Sequence, residues 1–379
     1  MAWQQWSFHL LDTCFFRDGL PYNKGEGGYG QVEGAFPPYI TTLQGAIRTQ
    51  LAAERGWRPG GTEEWPDELG GNEDPGILQF RGPYIALDDE LLFPMPYHVL
   101  IKKEVLHGKK EKHNFTLRRL LPGQEVVCDL GEQIRLPQPA EALPGASSPD
   151  GFYITRTGLA AILQGNLPGC GHIKSKSELW VEEPHIGLER RDDSRTALES
   201  MLYRAVHIRP RPGLKIIVLV HGIPEGWKIA TRKVLPLGGE ARLAEVETRK
   251  LDEVGSRGFL PLLPALEPDK NGRIHFTITL ITPGWYEDPG RAILDGPPDV
   301  PGRCISACLG RVIQVGGWDL ALNLPRPLVP LVPAGSTWFF AAEARDGKII
   351  NNLHGRCLGH RKAFGYGQVA IGEWKEEIN

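Results

Sequence analysis

The chain has 379 residues, of which 41% are hydrophobic and 23% are charged, and this globular composition supplies apolar side chains for two cores. Its formal net charge of -3 excludes RNA binding through an overall basic excess, so any RNA contact must come from local basic patches. No apolar stretch reaches the roughly 18 residues of a membrane span. The six cysteines lack paired spacing, which is typical of a reducing, cytoplasmic setting.

The first elements predicted along the chain are a strand and a helix. Apolar and polar residues alternate at the start of residues 6–16, which predicts a strand that ends in a turn. Apolar residues at four-residue spacing then predict a helix. The members of this stripe are Leu43, Ile47 and Leu51, and Thr41 or Thr42 is the predicted N-cap.

The middle of the chain predicts strands and one insertion. Residues 77–103 carry two apolar, β-branched runs, which predict a hairpin after the helix. Residues 104–150 turn charged and then proline-rich, which predicts an insertion with a mobile end. Residues 157–164 predict a short helix, and residues 205–209 and 214–220 predict strands around a Pro-Arg-Pro-Gly turn.

The second half predicts a second set of strands. The clearest strand covers residues 274–280, where apolar residues alternate with polar ones. Three further strands are predicted, at residues 304–315, 337–343 and 368–373. Two split β-α-β units result, so we expect an α+β fold with a first domain over residues 1–210 and a second over residues 211–379.

Two motifs indicate ligands only weakly. Gly25, Gly27 and Gly30 fit the G-x-G-x-x-G pattern of dinucleotide sites, but no helix follows directly. A flexible loop is therefore predicted, with a nucleotide-dependent enzyme as the alternative. Cys304 and Cys308 lack a second pair at zinc-finger spacing, so buried thiols are predicted. The sequence thus predicts neither a cofactor nor a metal.

The C-terminal segment HGRCLGHRKAFGYGQVAIGEW combines glycines, a basic pair and aromatic rings. Such glycines let backbone amides face a phosphate, the basic pair attracts it, and an aromatic ring can stack on a base. The residues concerned are Arg361, Lys362, Phe364, Gly365, Tyr366 and Gly367. The alternative is a glycine-bearing turn into the last strand.

Six segments together resemble a known family. The Gly-aromatic-Gly ending after a basic stretch is similar to the glycine-rich loop of the RAMP superfamily of CRISPR systems. Five others resemble the third-subunit family of the CRISPR type III-B (Cmr) complex: FFRDGLPY, FPPYITTLQGAIR, EPHIGLERRDDSRT, LGGEARLAEVE and GGWDLALNLPRPLVPLVPAGSTWFF. They occur in that family's order and span nearly the whole chain. The insertion at residues 104–150 and the end of the segment after Arg242 match no pattern.

The resemblance implies two ferredoxin-like (RRM-like, β-α-β-β-α-β) domains with insertions, a protruding β-hairpin at about residues 180–205 and a glycine-rich loop at residues 359–367. It implies a non-catalytic, RNA-binding subunit in antiviral defence that holds the 5′ tag of the crRNA. The implied partners are the large polymerase-like subunit, the other RAMP subunits and, indirectly, target RNA, with no membrane. A RAMP endoribonuclease that processes precursor crRNA is the alternative.

The candidate RNA-binding residues combine the glycine-rich loop with positions in the other matched segments. They are Arg17, Gly45, Arg48, His185, Arg190, Arg191, Arg195, Gly238, Gly239, Arg361, Lys362, Phe364, Gly365, Tyr366 and Gly367. Arg48 lies three residues after Gly45 and so shares a helix face with it, where RNA backbone is expected to approach. The alternative for this arginine is a solvated salt bridge. His185 has a general acid as its alternative role.

Other interpretations remain open around these residues. The arginines at 190, 191 and 195 are balanced by neighbouring acids, so a solvated charge run is the alternative to RNA contact. A helical stripe over residues 198–205 is the alternative to the hairpin. Trp318 and Trp338 are predicted to pack in the core or at an interface.

Overall fold

A computed structural model describes residues 2–17, 31–32, 34–104, 114–128, 131–139, 141–191, 193–252, 258–319 and 324–375. The helices in this part of the chain are α1 (Ile40–Glu54), α2 (Arg156–Leu163), α3 (Lys176–Leu179), α4 (Pro289–Asp295) and α5 (Gly347–Leu353). No helix among the described residues is long and apolar enough to cross a membrane.

The strands are, in chain order, β1 (Trp3–Leu10), β2 (Gln31–Val32), β3 (Gln79–Leu87), β4 (Glu90–Pro94), β5 (Val99–Glu104), β6 (Asn114–Cys128), β7 (Gly131–Pro139), β8 (Phe152–Thr155), β9 (Ile173–Ser175), β10 (Trp180–Arg190), β11 (Ala197–Pro210), β12 (Leu214–His221), β13 (Arg232–Pro236), β14 (Leu243–Leu251), β15 (Arg273–Leu280), β16 (Arg303–Cys308), β17 (Ile313–Val315), β18 (Trp318–Asp319), β19 (Leu324–Pro325), β20 (Val329–Leu331), β21 (Thr337–Glu343) and β22 (Val369–Glu373). Mostly antiparallel sheets with few helices confirm the predicted α+β class.

The chain divides into two compact units that alternate along the sequence. The first contains residues 1–89, 177–252 and 314–330, and the second contains residues 90–176, 253–313 and 331–379. The predicted boundary after residue 210 does not match this division, because β12 pairs with β1 and β3 of the first unit. Pairing between distant strands therefore decides the units, and a linear reading of the sequence does not show it.

The first unit is built on an antiparallel sheet in the order β13-β14-β1-β12-β3. In its centre Phe8 of β1 lies opposite Ile216 and Val246. Helix α1 lies against β3 and β13 and buries its predicted stripe of three apolar residues. The helix begins one residue before the predicted caps: Tyr39 is the N-cap and makes no side-chain cap hydrogen bond, so the predicted threonine cap is wrong.

Strands β10 and β11 form the predicted hairpin of the first unit. Their antiparallel register places Glu183 opposite His207 and His185 opposite Ala205, so the helical alternative for residues 198–205 is wrong. At the turn, Arg195 has a left-handed φ of 53° and its N–H donates to the carbonyl of Arg191 at 2.8 Å.

The second unit contains an antiparallel sheet in the order β16-β21-β15-β22. Helix α4 follows β15 along the chain and α5 follows β21. Apolar side chains of the central strands, among them Phe276, Trp338 and Phe340, form one buried cluster with Ala292 of α4 and Ile350 of α5. The two helices therefore cover one face of this sheet. Trp338 is buried as predicted, whereas Trp318 of the first unit is 49% exposed and lies outside a core.

The other face of this sheet is covered by the insertion. Phe339 and Trp374 pack there with Leu120 and Leu121 of β6. Strands β5, β6 and β7 form a three-stranded antiparallel sheet, so residues 114–128 and 131–139 of the predicted insertion are strands. Residues 141–150 consist of turns and loop with one isolated bridge at Ser147, and the mobile end stays a prediction. Residues 105–113 lie outside the described residues. Both faces of this four-stranded sheet are therefore covered within the unit.

His98 lies in the buried layer between the insertion and the sheet. Its side chain is 4% exposed, and Nδ1 lies 3.1 Å from the Thr337 hydroxyl, which in turn lies 2.9 Å from the hydroxyl of Thr279. Burial, with a smaller effect from Arg119, lowers the pKa of His98 to about 3. The folded chain therefore holds this imidazole neutral.

We expect His98→Gln to reduce acid destabilisation. The unfolded chain binds a proton here below its ordinary pKa of 6.5, whereas the folded chain does so only near pH 3. Protonation of this group therefore does not affect the free energy of unfolding above pH 6.5. Between pH 6.5 and about 3 it lowers that free energy by about 1.4 kcal/mol per pH unit. The slope of Tm against pH between about 6 and about 4 should be shallower in the variant. Identical slopes in the variant and the parent chain would contradict this.

Candidate nucleic-acid interface

The glycine-rich loop at residues 359–367 is fastened to the segment that follows β15. The N–H of His360 donates to the carbonyl of Trp285 at 2.7 Å, and the N–H of Gly367 donates to the carbonyl of Pro283 at 2.8 Å. The Thr282 hydroxyl donates to the carbonyl of Gly365 at 2.8 Å. These three bonds fix the loop through contacts within the second unit itself.

Backbone conformation and close contacts within the protein favour glycine at several positions of the loop. Gly359 and Gly365 both have φ of 93° and Gly367 has φ of 71°, which L side chains rarely adopt. A Cβ at Gly367 would lie 2.1 Å from the carbonyl oxygen of Leu358. The N–H of Gly365 donates to the carbonyl of Lys362 at 3.0 Å, so that amide is also engaged. These contacts support the turn interpretation, and phosphate contact by the glycine amides stays a prediction.

The two aromatic rings of the loop point into the protein. Phe364 is 3% exposed and Tyr366 is 2% exposed. The Tyr366 ring meets Trp285 edge-on, with ring centroids 5.3 Å apart. The predicted stacking of either ring on a base therefore does not fit this conformation, because neither ring has a free face. Their burial instead anchors the loop.

The basic pair of the loop consists of a half-buried arginine and an exposed lysine. The Arg361 guanidinium lies 4.6 Å from the ring centroid of Trp285 and 5.3 Å from that of Phe364, a cation–π arrangement. Burial lowers the pKa of Arg361 from its ordinary value. Lys362 is 52% exposed, and its Nζ lies 3.7 Å from an Asp299 carboxylate oxygen. Lys362 is therefore the cation that this loop offers to a ligand.

We expect Lys362→Ala to weaken guide binding without unfolding the chain. Loss of one phosphate contact should reduce the slope of log affinity against log salt by about 0.7, and surface changes of this kind usually alter stability by less than about 0.5 kcal/mol. Lys270→Ala is the matched control, because it removes an exposed lysine from a turn of the same unit. Equal salt slopes for the two variants in a filter-binding titration would remove Lys362 from the interface.

The hairpin tip carries exposed arginines. Arg191 and Arg195 are exposed, while the side chain of Arg190 lies outside the described part. Asp193, also exposed, accepts a hydrogen bond from the backbone N–H of Ser194. This arrangement suits both a phosphate contact and a solvated charge run, so the RNA role of these arginines stays a prediction.

The Gly238-Gly239 pair packs against the first strand segment. Gly238 has φ of 83°, and a Cβ there would lie 2.5 Å from the carbonyl oxygen of Phe15. The N–H of Gly239 donates to that same oxygen at 2.8 Å, and its Cβ position lies 2.9 Å from the Phe15 ring. Close internal packing therefore explains both glycines, and close approach of RNA there stays a prediction.

The predicted surface of Gly45 and Arg48 does not exist in the structure. Gly45 is exposed with nothing near its Cβ position, but Arg48 is 9% exposed. The Arg48 guanidinium donates to the carbonyl of Gly71 at 2.7 Å and lies 5.8 Å from the Trp65 ring centroid. The predicted phosphate contact of Arg48 is therefore wrong, because its charge faces inward. Arg17 is exposed and pairs through its backbone with Gly34.

An ionic and aromatic cluster at the root of the hairpin was only partly found from the sequence. His185 was predicted, but its neighbour His207 was missed; the ring centroids lie 4.0 Å apart at 15°. Glu183 lies two residues before His185 on β10, and Arg209 lies two residues after His207 on β11. This alternation of ionisable residues in both predicted strands is the signal that indicates a shared face.

Carboxylates fix both imidazoles of this cluster. Glu183 Oε1 lies 2.9 Å from Nε2 of His185, and its Oε2 accepts from Arg209 Nε at 2.6 Å. The hydrogen bond from Arg209, with that from His185, lowers the pKa of Glu183 to about 2. Glu240 Oε2 lies 3.0 Å from Nε2 of His207, yet burial dominates and lowers the pKa of His207. The cluster can therefore hold an imidazole ring in a fixed plane.

The residues that the structure describes give little support for a metal site or a nucleotide site. Among the described residues, no group of three or more His, Cys, Asp or Glu side chains is arranged to hold a metal ion. Burial raises the pKa of Cys304 and Cys308 to about 12. Cys308 is buried as predicted, whereas Cys304 is half-buried. The Gly25–Gly30 motif lies outside the described residues.

Comparison with known proteins assigns the family. The family model described as CRISPR-associated protein (Cas_Cmr3) matches residues 7–374, which include all six segments of the resemblance. This chain belongs to the Cas_Cmr3 family. Membership makes it a subunit of a CRISPR type III-B effector. No curated protein matches the chain.

Three solved structures match this chain at low sequence identity. A chain of a type III-B Cmr-beta complex bound to cognate target RNA and AMPPnP has 15% identity and a TM-score of 0.47, with 92% of this chain and 88% of that chain covered. A chain of the same type of complex bound to cognate target RNA has 13% identity and a TM-score of 0.48, with 92% and 88% covered. A chain of a Csm3-Csm4 subcomplex from a type III-A interference complex has 12% identity and a TM-score of 0.38, with 98% and 100% covered.

Proposed function

We propose that this chain is the non-catalytic, RNA-binding subunit that holds the 5′ tag of the crRNA and docks the large polymerase-like subunit of a type III-B effector. The observation that carries the proposal is the Cas_Cmr3 family match over residues 7–374. The other RAMP subunits are further partners, and target RNA is contacted indirectly. This assignment places the chain in antiviral defence.

The proposal includes two ferredoxin-like domains, and strand order supports it. In the second unit β15, β16, β21 and β22 are the first to fourth strands, and their spatial order is four-one-three-two with helices after the first and third. In the first unit β1, β3, β12 and β14 repeat this spatial order, with α1 after the first strand. Such split β-α-β units are the ferredoxin-like arrangement.

Exposed cations are the groups that suit contact with the guide. Lys362 on the glycine-rich loop and Arg191 and Arg195 at the hairpin tip all reach solvent. Each lies on backbone that is fixed by hydrogen bonds within its own unit. Cations on fixed backbone lose less conformational freedom when they bind phosphates, which favours binding by a chain of net charge -3.

Structural contacts of other histidines support the non-catalytic part of the proposal. Cleavage by a 2′-hydroxyl needs an acid, a base and charge stabilisation at one phosphate. His98 is buried and neutral, and His354 lies 2.9 Å from the carbonyl of Pro261 and accepts from the N–H of Ile371 at 3.1 Å. His275 packs edge-on against Trp374, with ring centroids 4.8 Å apart. These imidazoles serve packing in the second unit.

One observation favours the alternative, an endoribonuclease that processes precursor crRNA. The 2.9 Å contact of His185 with Glu183 is the kind of pair that orients a general acid, and the imidazole is 40% exposed. A second histidine, His207, lies beside it. The pair is compatible with proton transfer to a leaving oxygen.

Incubation with labelled precursor RNA separates the two functions. We expect the isolated chain to bind this RNA and leave it intact, because the tag is recognised without chemistry. The measurement is a denaturing gel over a time course, with a known processing ribonuclease as positive control. Specific cleavage by the parent chain that His185→Ala abolishes would establish the endoribonuclease and overturn the non-catalytic proposal.

A further inference from the structure

Three aromatic rings form a stacked column at the root of the β10–β11 hairpin. The side chain of His207 is fully buried. Its ring centroid lies 5.1 Å from that of Phe15 at an interplanar angle of 17° and 4.0 Å from that of His185 at 15°. Because His207 is shared by both near-parallel contacts and has no exposed surface, its two faces are occupied by the other two rings. The column runs outward from Phe15 to His185.

The outer end of the column is open. The His185 side chain is 40% exposed, whereas the two rings behind it are buried or half-buried. Gly187, the next residue of β10 on the same side of the strand, adds no side chain over the ring. Because the inner face of the ring lies against His207, the exposed surface of His185 belongs to its outer face and its edges.

Ion pairs fix the plane of this exposed ring. Glu183 lies 2.9 Å from Nε2 of His185 and also accepts from Arg209, whose Nη1 lies 3.0 Å from an Asp12 carboxylate oxygen. On the other side of the column, Glu240 lies 3.0 Å from His207. A ring already held by its edge and by its inner face loses little conformational freedom when a ligand stacks on its outer face.

The charge around the column suits an uncharged ligand. The carboxylates of Asp12, Glu183 and Glu240 are offset by the guanidinium groups of Arg209 and Arg242, which lie within ion-pair distance of them. A phosphate or a free cation gains little electrostatic binding energy at a site where the charged side chains already form ion pairs with one another. The flat face of a nucleobase is uncharged and gains from stacking on an aromatic ring.

We propose that the exposed face of His185 is a stacking position for one unpaired nucleobase of single-stranded RNA. This inference rests on the proposed guide-binding function and adds the chemical group that the hairpin root recognises. In it His185 touches the base, and His207 and Phe15 are positioning residues that keep its ring in plane. Stacking discriminates little among the four bases, so the site reads an unstacked base and leaves its identity unread.

Fluorescence of 2-aminopurine tests this proposal in the assembled effector complex. Guides carry the analogue at one tag position at a time, and its emission falls when it stacks. We expect one quenched position in the parent complex, recovery of emission there with His185→Ala, and retained quenching with His185→Phe. Guide binding by His185→Ala should weaken about 5- to 150-fold, the range for loss of one stacked base.

The matched control is His9→Ala. His9 is a partly exposed histidine of the same unit, and its Nε2 lies 3.6 Å from a Glu247 carboxylate oxygen. We expect this variant to leave the emission unchanged at every tag position. Thermal melting of each variant complex reports whether the fold is intact, and the phenylalanine variant keeps the test decisive if the alanine variant is unstable.

The outcomes of this experiment distinguish failure of the stacking site from failure of the proposed guide-binding function. Tight guide binding with unchanged emission in His185→Ala would overturn the stacking site and leave the proposed function standing. If the His185→Ala complex loses the large subunit and the 2-aminopurine emission does not change at any tag position, the imidazole of His185 contacts a protein side chain instead of a base. That result would also overturn the proposal. A parent complex that holds no guide would overturn the proposed function itself.

Discussion

Both faces of the four-stranded sheet in the second unit are buried by the chain itself, and this determines where a ligand can bind. Helices α4 and α5 cover one face, and the insertion strand β6 packs on the other through Leu120 and Leu121. The sheet surface that single-stranded RNA uses in RRM proteins is therefore closed in this unit. Contact of the proposed RNA ligand with this sheet would therefore involve its loops and strand ends, among them the glycine-rich loop that internal hydrogen bonds hold in place.

The glycines that carry the family resemblance serve the fold first. Gly367 and Gly238 both have left-handed φ, and a Cβ at either would meet a carbonyl oxygen of the same unit. The motif therefore specifies backbone paths, and those paths bring Lys362 to the surface while Arg361 stays over Trp285. A glycine motif and a ligand site can thus coincide in sequence although the contacts to the ligand come from neighbouring side chains.

Local sequence patterns predicted secondary structure well, but they did not predict contacts between residues that are distant in the sequence. Alternation over residues 274–280 predicted a strand close to β15, because side chains of a strand point to opposite faces in turn. Arg48 was misjudged because Trp65 and Gly71, which bury its charge, lie far along the chain. The alternating units and the burial of His207 likewise depend on pairing between distant strands, which periodicity does not encode.

In each of the two units, aromatic rings hold a polar side chain in a fixed position. Trp285 and Phe364 hold the guanidinium of Arg361, and Phe15 and His207 support the imidazole of His185. In each case buried or half-buried rings fix the position of a polar group next to solvent. A chain of net charge -3 cannot attract RNA by its total charge, so its affinity must come from a few groups whose positions are set before the ligand arrives. Rigid aromatic support supplies that order for the contacts proposed at the hairpin root and the glycine-rich loop.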